Sequence, residues 1–126
     1  MALVKQVGHF TVRIEGGSPI DFNNVERHEF SENNGGYLAG TNNGEAIFIG
    51  YAQSAKPNTE STYLYTDDFE NKPHINWTLD YGSKRYSAVT GRVTVKFSHN
   101  LEASGSFDFT DGSGKKIEGK FEIKWN

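Results

Sequence analysis

Residues 101–125 read LEASGSFDFTDGSGKKIEGKFEIKW, and their apolar side chains recur at every second position on both sides of a glycine-rich turn. Alternation with a period of two is the pattern of β-strands that bury one face. The same alternation continues upstream through residues 75–81 and 89–97, with the apolar face on the odd-numbered residues. The stretch from His74 to Trp125 therefore predicts a four-stranded antiparallel meander, the C-terminal part of an all-β fold.

The turns of this meander predict its register, because directly opposite residues of an antiparallel pair share a face. A three-residue loop at 112–114 sets Phe107 opposite Gly119, and a three-residue loop at 98–100 sets Phe107 opposite Gly91. Both loops end in a residue, glycine or asparagine, that tolerates the left-handed conformation such loops need. We interpret the Phe107 ring as packing over Gly91 and Gly119, where side chains are missing. Strand glycines also mark bends or leave space for a ligand.

The even-numbered side chains of the meander form a second face that carries charges of both signs. The predicted register aligns Lys96, Glu102 and Lys124 across three strands, and exposed pairs of this kind contribute roughly 0.2–1 kcal/mol each. We therefore expect this face to be a solvated surface without a function.

The composition limits the class of protein. The chain has 126 residues, of which 14 are glycine, 3 are proline and none is cysteine, and its formal net charge is −3. This length predicts a single domain, residues 1–126, and frequent glycines suit short strands joined by tight turns. The absence of cysteine excludes disulfides, thiolate metal ligands and cysteine nucleophiles. The basic residues are dispersed rather than clustered, which argues against nucleic acid and anionic membranes as partners.

The first residues, MALVKQVG, have neither the basic region nor the apolar core of a signal peptide. No segment approaches the ~18 consecutive apolar residues of a membrane span. We therefore expect a soluble, cytoplasmic protein without a membrane partner.

The clearest turn of the first half is the Asn-Gly pair at 43–44, the preferred sequence of a two-residue type I′ turn. This turn pairs Leu38 with Ile49 on one face of a hairpin and Ala39 with Phe48 on the other. Both faces are apolar, so the hairpin is either central and covered twice, or one of its sides lines a pocket or a partner interface.

At the Gly-Ser pair 82–83, the residues of the turn and the alternation of apolar side chains predict loops of different length. The turn favours a two-residue type II′ loop with Trp77 opposite Ala88, whereas the alternation needs a three-residue loop with Trp77 opposite Val89. A bulge within 88–90 would satisfy both demands, and it would bend the long strand that follows as a closing barrel requires.

The whole chain reads as about eight or nine strands with no convincing helix. The strands expected upstream of the meander span residues 3–15, 20–22, 25–31, 37–51 and 61–66. We predict an all-β fold, an antiparallel up-and-down β-barrel or a curved β-sandwich of about eight strands, with a Greek-key sandwich as the second choice. The final hairpin, from Ser104 to Phe121, resembles the closing hairpin of small lipocalin-like bacterial barrels. The resemblance covers about a third of the chain and implies such a barrel without assigning any functional residue.

The only compact set of metal-type ligands is Asp67, Asp68 and Glu70, with His74 nearby. This loop lacks the alternating acidic spacing and the central glycine of a calcium loop, and the four histidines show no paired ligand spacing. The glycine-rich turn that begins at Asp111 is explained by a hairpin. We therefore predict neither a metal site nor a cofactor.

General acid–base chemistry needs a titratable group in a desolvated cavity. Asp80, Arg85 and Tyr86, with Tyr63 and Tyr65, would form such a set if they met at one barrel mouth. No nucleophile elbow, phosphate loop or dinucleotide fingerprint is present. We assign no catalytic residue.

Aromatic side chains with a polar edge are concentrated between residues 37 and 86. Such side chains supply amphipathic contact surface, although they also serve as core and barrel-end plugs. The predicted ligand-binding residues are Tyr37, Tyr51, Tyr63, Tyr65, Trp77 and Tyr86.

These observations favour a non-enzymatic module that binds a small apolar or aromatic ligand, or a protein partner, through the aromatic segment. The first alternative is a barrel enzyme of the cyclase or isomerase type acting on an apolar substrate. The second is a structural or interaction protein that forms a homodimer by edge pairing. A catalyst needs a titratable side chain in an enclosed cavity, whereas a protein-binding module needs an exposed aromatic patch.

Overall fold

The computed structural model describes residues 5–125, which fold into ten strands and one short 3₁₀ turn, Asp67–Phe69. The strands are β1 (Gln6–Ile14), β2 (Ile20–Phe22), β3 (Asn24–Glu29), β4 (Gly36–Asn42), β5 (Glu45–Tyr51), β6 (Thr59–Tyr65), β7 (Thr78–Tyr81), β8 (Lys84–Phe97), β9 (Ala103–Asp111) and β10 (Lys116–Trp125). The predicted start of the first strand, at Leu3, lies outside the described residues. Nothing helical in residues 5–125 has the length or the apolar character of a membrane span.

The strands form one sheet in the order β2-β1-β10-β9-β8-β7-β5-β4-β3, and β6 also pairs with β8. The long β8 pairs with two strands along one edge, with β7 in its first part and with β6 in its second part. The sheet curls until β3 reaches β1, where the Gln6 side chain accepts from the N–H of Arg27 (2.5 Å) and donates to its C=O (3.5 Å). The sheet is thus a nearly closed barrel, and the prediction of an all-β barrel is confirmed, with ten strands in place of about eight.

Aromatic and aliphatic side chains fill the inside of the barrel. The largest fully buried ones include Trp77, Tyr51, Phe10, Phe22, Phe69, Phe109, Leu38 and Ile47. Rings also cover the strand glycines. A Cβ at Gly119 would lie 2.7 Å from the Phe107 ring, and one at Gly91 would lie 2.9 Å from the Trp77 ring. These glycines therefore leave no ligand space at their own positions.

Two hairpins have the predicted register. The Asn-Gly turn at 43–44 has φ angles of 50° and 82°, as a type I′ turn requires, and it pairs Leu38 with Ile49. The turn at 112–114 pairs Phe107 with Gly119. In both hairpins the loop is short and its left-handed residues are asparagine or glycine, so local sequence determines the pairing.

The predicted pairing of Phe107 with Gly91 is wrong by two residues. Phe107 faces Val93, and Gly91 faces Phe109. The loop after β8 has the expected three residues but lies one residue further along the chain, at 99–101, because the Ser98 N–H donates to the C=O of Glu102 (2.9 Å).

The left-handed residue of this shifted loop is Leu101 (φ 64°) rather than Asn100. The C=O of Asn100 instead accepts a hydrogen bond from the Trp125 indole (2.8 Å), and the Glu102 carboxylate accepts from the Trp125 N–H (3.0 Å). A shift of two keeps every side chain on its predicted face, since the period of a strand is two.

The conflict at residues 82–83 is resolved by the predicted bulge. Both residues have φ of 61°, so the two-residue turn is of type I′ rather than II′, and the Ala88 N–H donates to the C=O of Trp77 (3.0 Å). The register shifts between Ala88 and Thr90. Val89 is the bulged residue and is 53% exposed, which corrects its predicted place on the buried face.

Candidate functional site

The six aromatic residues predicted to bind a ligand do not share one surface. Four are buried in the barrel, namely Tyr51, Tyr65, Trp77 and Tyr86, and two are half-buried, namely Tyr37 and Tyr63. The structure brings part of this set together at one end of the barrel and leaves Tyr37 on the outside of the sheet.

The first group forms an aromatic plug. The ring centroids of Tyr65 and Trp77 are 4.8 Å apart, and Phe69 lies 5.9 Å from Tyr65 and 6.5 Å from Tyr63. Phe69 comes from the acidic loop and is 1% exposed, so this loop is fastened to the barrel by its one aromatic side chain. These rings have the geometry of core packing rather than of an open site.

One acidic side chain of this loop bonds to the backbone of β6. The Asp68 carboxylate accepts a hydrogen bond from the Leu64 N–H (2.6 Å). Within residues 5–125 no three His, Cys, Asp or Glu side chains are grouped as a metal site would need. The carboxylate of Asp111 likewise accepts from the N–H groups of Ser113 and Lys115 in its own turn, as the hairpin interpretation predicts.

Tyr51 is a core residue that lies beside an inward-facing cation. Its hydroxyl oxygen accepts from Nη1 of Arg27 (3.2 Å), whose guanidinium lies 5.7 Å from the Phe97 ring centroid. Burial raises the pKa of Tyr51 to about 12, and the nearby guanidinium only partly opposes this effect. Tyr51 is therefore a neutral core residue.

The residues considered for acid–base chemistry are divided between two environments. Asp80 and Arg85 form a bidentate ion pair (2.7 and 3.0 Å) on the outer face at the turn between β7 and β8. Tyr65 pairs with Gly91, on the far side of the bulge, and Tyr86 points into the core. The structure does not assemble these groups around a common cavity.

A second group of rings lies on the solvent side of the strands β3, β4 and β5. Arg27, Leu38 and Ile49 point inward, so their neighbours along each strand point outward. The rings in contact on this outer face are His28, Phe30, Tyr37 and Phe48, which we call the outer aromatic surface.

The four rings are contiguous. Tyr37 is their centre, because its ring centroid lies 5.2 Å from that of His28, 6.1 Å from that of Phe30 and 6.2 Å from that of Phe48. The rings of Phe30, Tyr37 and Phe48 are half-buried, and His28 is exposed. Below them Ala39 is 4% exposed, so the rings cover the sheet at this point.

One carboxylate orients the centre of this surface. The Tyr37 hydroxyl donates to Oε1 of Glu26 on β3 (2.7 Å). The hydrogen bond to this carboxylate, followed by burial, raises the pKa of Tyr37 to about 12. The surface thus combines apolar rings with one negative group, the Glu26 carboxylate.

Sequence reasoning found Tyr37 and missed the other three rings. The available signal was the hairpin at 43–44, whose two faces are both apolar. That pattern predicts a covered or contacting outer face but does not tell which of the two faces is outer. His28 was expected at the surface, and the structure places it there.

Surface depressions lie elsewhere on the barrel. Five of them, of about 210 to 460 Å³, are lined mainly by polar side chains and open to solvent, and none includes a ring of the outer aromatic surface.

Comparison with known proteins gives no match: no family model, curated protein or solved structure is significantly similar to the chain.

Proposed function

We propose that this chain is a non-enzymatic binding module that recognises a protein partner through the outer aromatic surface. The observation that carries the proposal is the contiguous set of rings around Tyr37 on the solvent side of the sheet. Burying apolar surface is worth about 25 cal/mol per Å², and exposed apolar patches of this kind mark interaction sites.

A protein partner fits this surface better than a small apolar ligand does. Small-molecule sites are concave and enclose most of their ligand, whereas these rings stand on the outside of a sheet. The complementary surface on the partner is apolar at its centre and carries a hydrogen-bond donor or a cation opposite Glu26.

The proposal also includes the location and the origin of the protein. We place the module in the cytoplasm, where a chain without cysteine loses nothing to reducing conditions. The resemblance of its last hairpin to small lipocalin-like bacterial barrels supports a bacterial origin.

Photo-crosslinking in cells tests the proposal. p-Benzoylphenylalanine replaces Phe48 in one variant and Lys124, on the charged outer face, in a matched control. We expect adducts to another protein from position 48, and we expect Tyr37→Ser in the same chain to remove them. Adducts formed only from position 124 would contradict the proposal. Adducts formed only between copies of this chain would favour the homodimer instead.

A further inference from the structure

Strand β6 has a strand neighbour on one edge only. It pairs with β8 from Thr59 to Tyr65, and no strand among residues 5–125 pairs with its other edge. The strands at the two ends of the sheet order are better covered, because side chains of Gln6 and Asn42 bond to the backbone across the barrel seam. An unpaired edge presents N–H and C=O groups that another strand can bond.

Asp68 occupies part of this edge. Its Oδ2 accepts from the Leu64 N–H (2.6 Å), which shows that this N–H points away from β8. Residues of an antiparallel strand alternate in the edge to which their N–H and C=O groups point. Glu60 and Thr62 therefore present their backbone groups to the same free edge. The carboxylate stands where the carbonyl of an adjacent strand would stand.

A depression of about 410 Å³ runs beside this edge. Thr62, Tyr63, Asp68 and Lys72 line it together with residues 52–53. On the side of the depression away from β6, Nζ of Lys72 donates a hydrogen bond to the C=O of Ala52 (2.7 Å). The space next to the free edge is thus open, and side chains rather than a strand border it.

We infer that the free edge of β6 docks an extended peptide segment of another protein, which adds to the sheet as a further strand after displacing Asp68. Backbone groups of β6 bind the backbone of the segment, and its side chains alternate between the two sheet faces. Leu64, which is 45% exposed, favours an apolar residue opposite it. This site is separate from the outer aromatic surface and does not depend on the function proposed for that surface.

A second copy of this chain is a poorer occupant than a foreign segment. In a twofold antiparallel pairing centred on Thr62, Glu60 of one copy would lie opposite Leu64 of the other. Such a pairing sets a charged side chain against an apolar one twice. A segment of different sequence avoids both mismatches.

The probe is a fluorescent peptide with the sequence of residues 91–97 in which leucine replaces Arg92, GLVTVKF, so that an apolar residue lies opposite Leu64. The parent sequence already pairs with β6 on its other edge, and strands on both edges contact the same β6 side chains, so its alternation suits β6. We expect saturable binding by fluorescence anisotropy. A peptide with proline in place of its central threonine lacks one N–H and is expected not to bind.

Variants of the protein locate the binding. Thr62→Pro removes an N–H from the free edge only, a position where proline is tolerated in an edge strand, and is expected to abolish binding. Thr62→Val keeps the N–H and is expected to bind like the wild type. Asp68→Ala frees the Leu64 N–H and should tighten binding by roughly two- to tenfold, the factor that one hydrogen bond contributes. Asp68→Asn keeps an acceptor oxygen and should stay near the wild-type affinity.

Near-UV circular dichroism confirms that each variant is folded before it is titrated. Folded wild type and folded Asp68→Ala that both fail to bind the peptide overturn the inference. Binding that survives Thr62→Pro overturns it as well, because the peptide would then lie elsewhere. An Asp68→Ala variant that dimerises without binding the peptide assigns the edge to a second copy and also overturns it.

Discussion

The ring of Phe107 lies across Gly119 on the neighbouring strand, so that a Cβ at position 119 would come within 2.7 Å of the ring. On its other sides the ring has Phe10 and Phe109, at centroid distances of 6.2 and 6.4 Å. Phe107 is only 4% exposed. The glycine offers no side chain that could move into the space if the ring were removed.

Phe107→Ala is therefore expected to lower the free energy of unfolding by roughly 3–5 kcal/mol, as for other buried phenylalanines that leave a cavity. Lys124→Ala is the control, because its ammonium group is exposed and its nearest carboxylate partner, Glu122, is 3.5 Å away on the same strand. Urea denaturation of the two variants measures the difference. Equal midpoints would mean that the inner and outer faces of β9 and β10 are assigned wrongly.

Ser83→Gly is expected to stabilise the protein. Ser83 has φ of 61°, and the left-handed conformation costs an L-residue roughly 1–2 kcal/mol. Glycine removes this cost, but it also gives the unfolded chain more backbone entropy, which offsets part of the gain. The expected gain is about 0.5–1 kcal/mol in the free energy of unfolding, measured in urea.

Ser87→Gly, in the strand that follows this turn, is the matched control. Ser87 pairs with Thr78 and lies within β8, where glycine is expected to destabilise by about 0.5–1 kcal/mol. Changes of the same sign in both variants would contradict the assignment of strain to the turn.

Local sequence predicted those parts of the fold that local chemistry determines. The Asn-Gly turn at 43–44 accepts positive φ at both positions, so it determined the register of its hairpin. The loop after β8 differs, because its shift by one residue goes with hydrogen bonds from Trp125 to Asn100 and Glu102, which are 25 and 23 residues away in the chain. No pattern within the loop carries that information.

The candidate site was predicted less well than the fold for a similar reason. Tyrosine and tryptophan suit both cores and contact surfaces, so composition alone could not separate the buried Trp77 from the outward Tyr37. Phe48 lies in a hairpin whose two faces are both apolar. The way in which the barrel closes determines which of these faces is the outer one. Closure depends on contacts between β3 and β1, which are distant in the sheet order.

Stability is expected to fall at high pH because of two tyrosines. The pKa values of Tyr37 and Tyr51 are raised to about 12 from an ordinary value of 10.0. Between these values the unfolded chain releases protons that the folded chain keeps, so the unfolded state binds fewer protons and the free energy of unfolding decreases as pH rises. The stabilising contribution is complete below pH 10 and is lost by about pH 12.

Urea denaturation at several pH values between 9 and 12 measures this effect. Tyr51→Phe and Tyr37→Phe each remove one titrating group, so the double variant should lose less stability over this range than the wild type does. Lysine titration is common to both proteins and cancels in the comparison. Parallel pH profiles would show that neither phenol has a raised pKa in the folded state.

Arg27→Met is expected to leave the protein at least as stable as the wild type, even though it removes an inward-facing cation. The Arg27 side chain is 10% exposed, its Nε has no hydrogen-bond partner among the described residues, and its ion pair with Glu29 is long at 3.8 Å. Desolvation of an incompletely bonded charge can exceed its electrostatic gain, and an apolar side chain of similar volume then replaces it without loss. Methionine also keeps the contact with the rings of Phe97 and Trp125.

Arg27→Ala is the control, since it removes the packing as well and should lower the free energy of unfolding by about 2 kcal/mol or more. Urea melts in which methionine is as damaging as alanine would show that the charge of Arg27, rather than its volume, stabilises this end of the barrel.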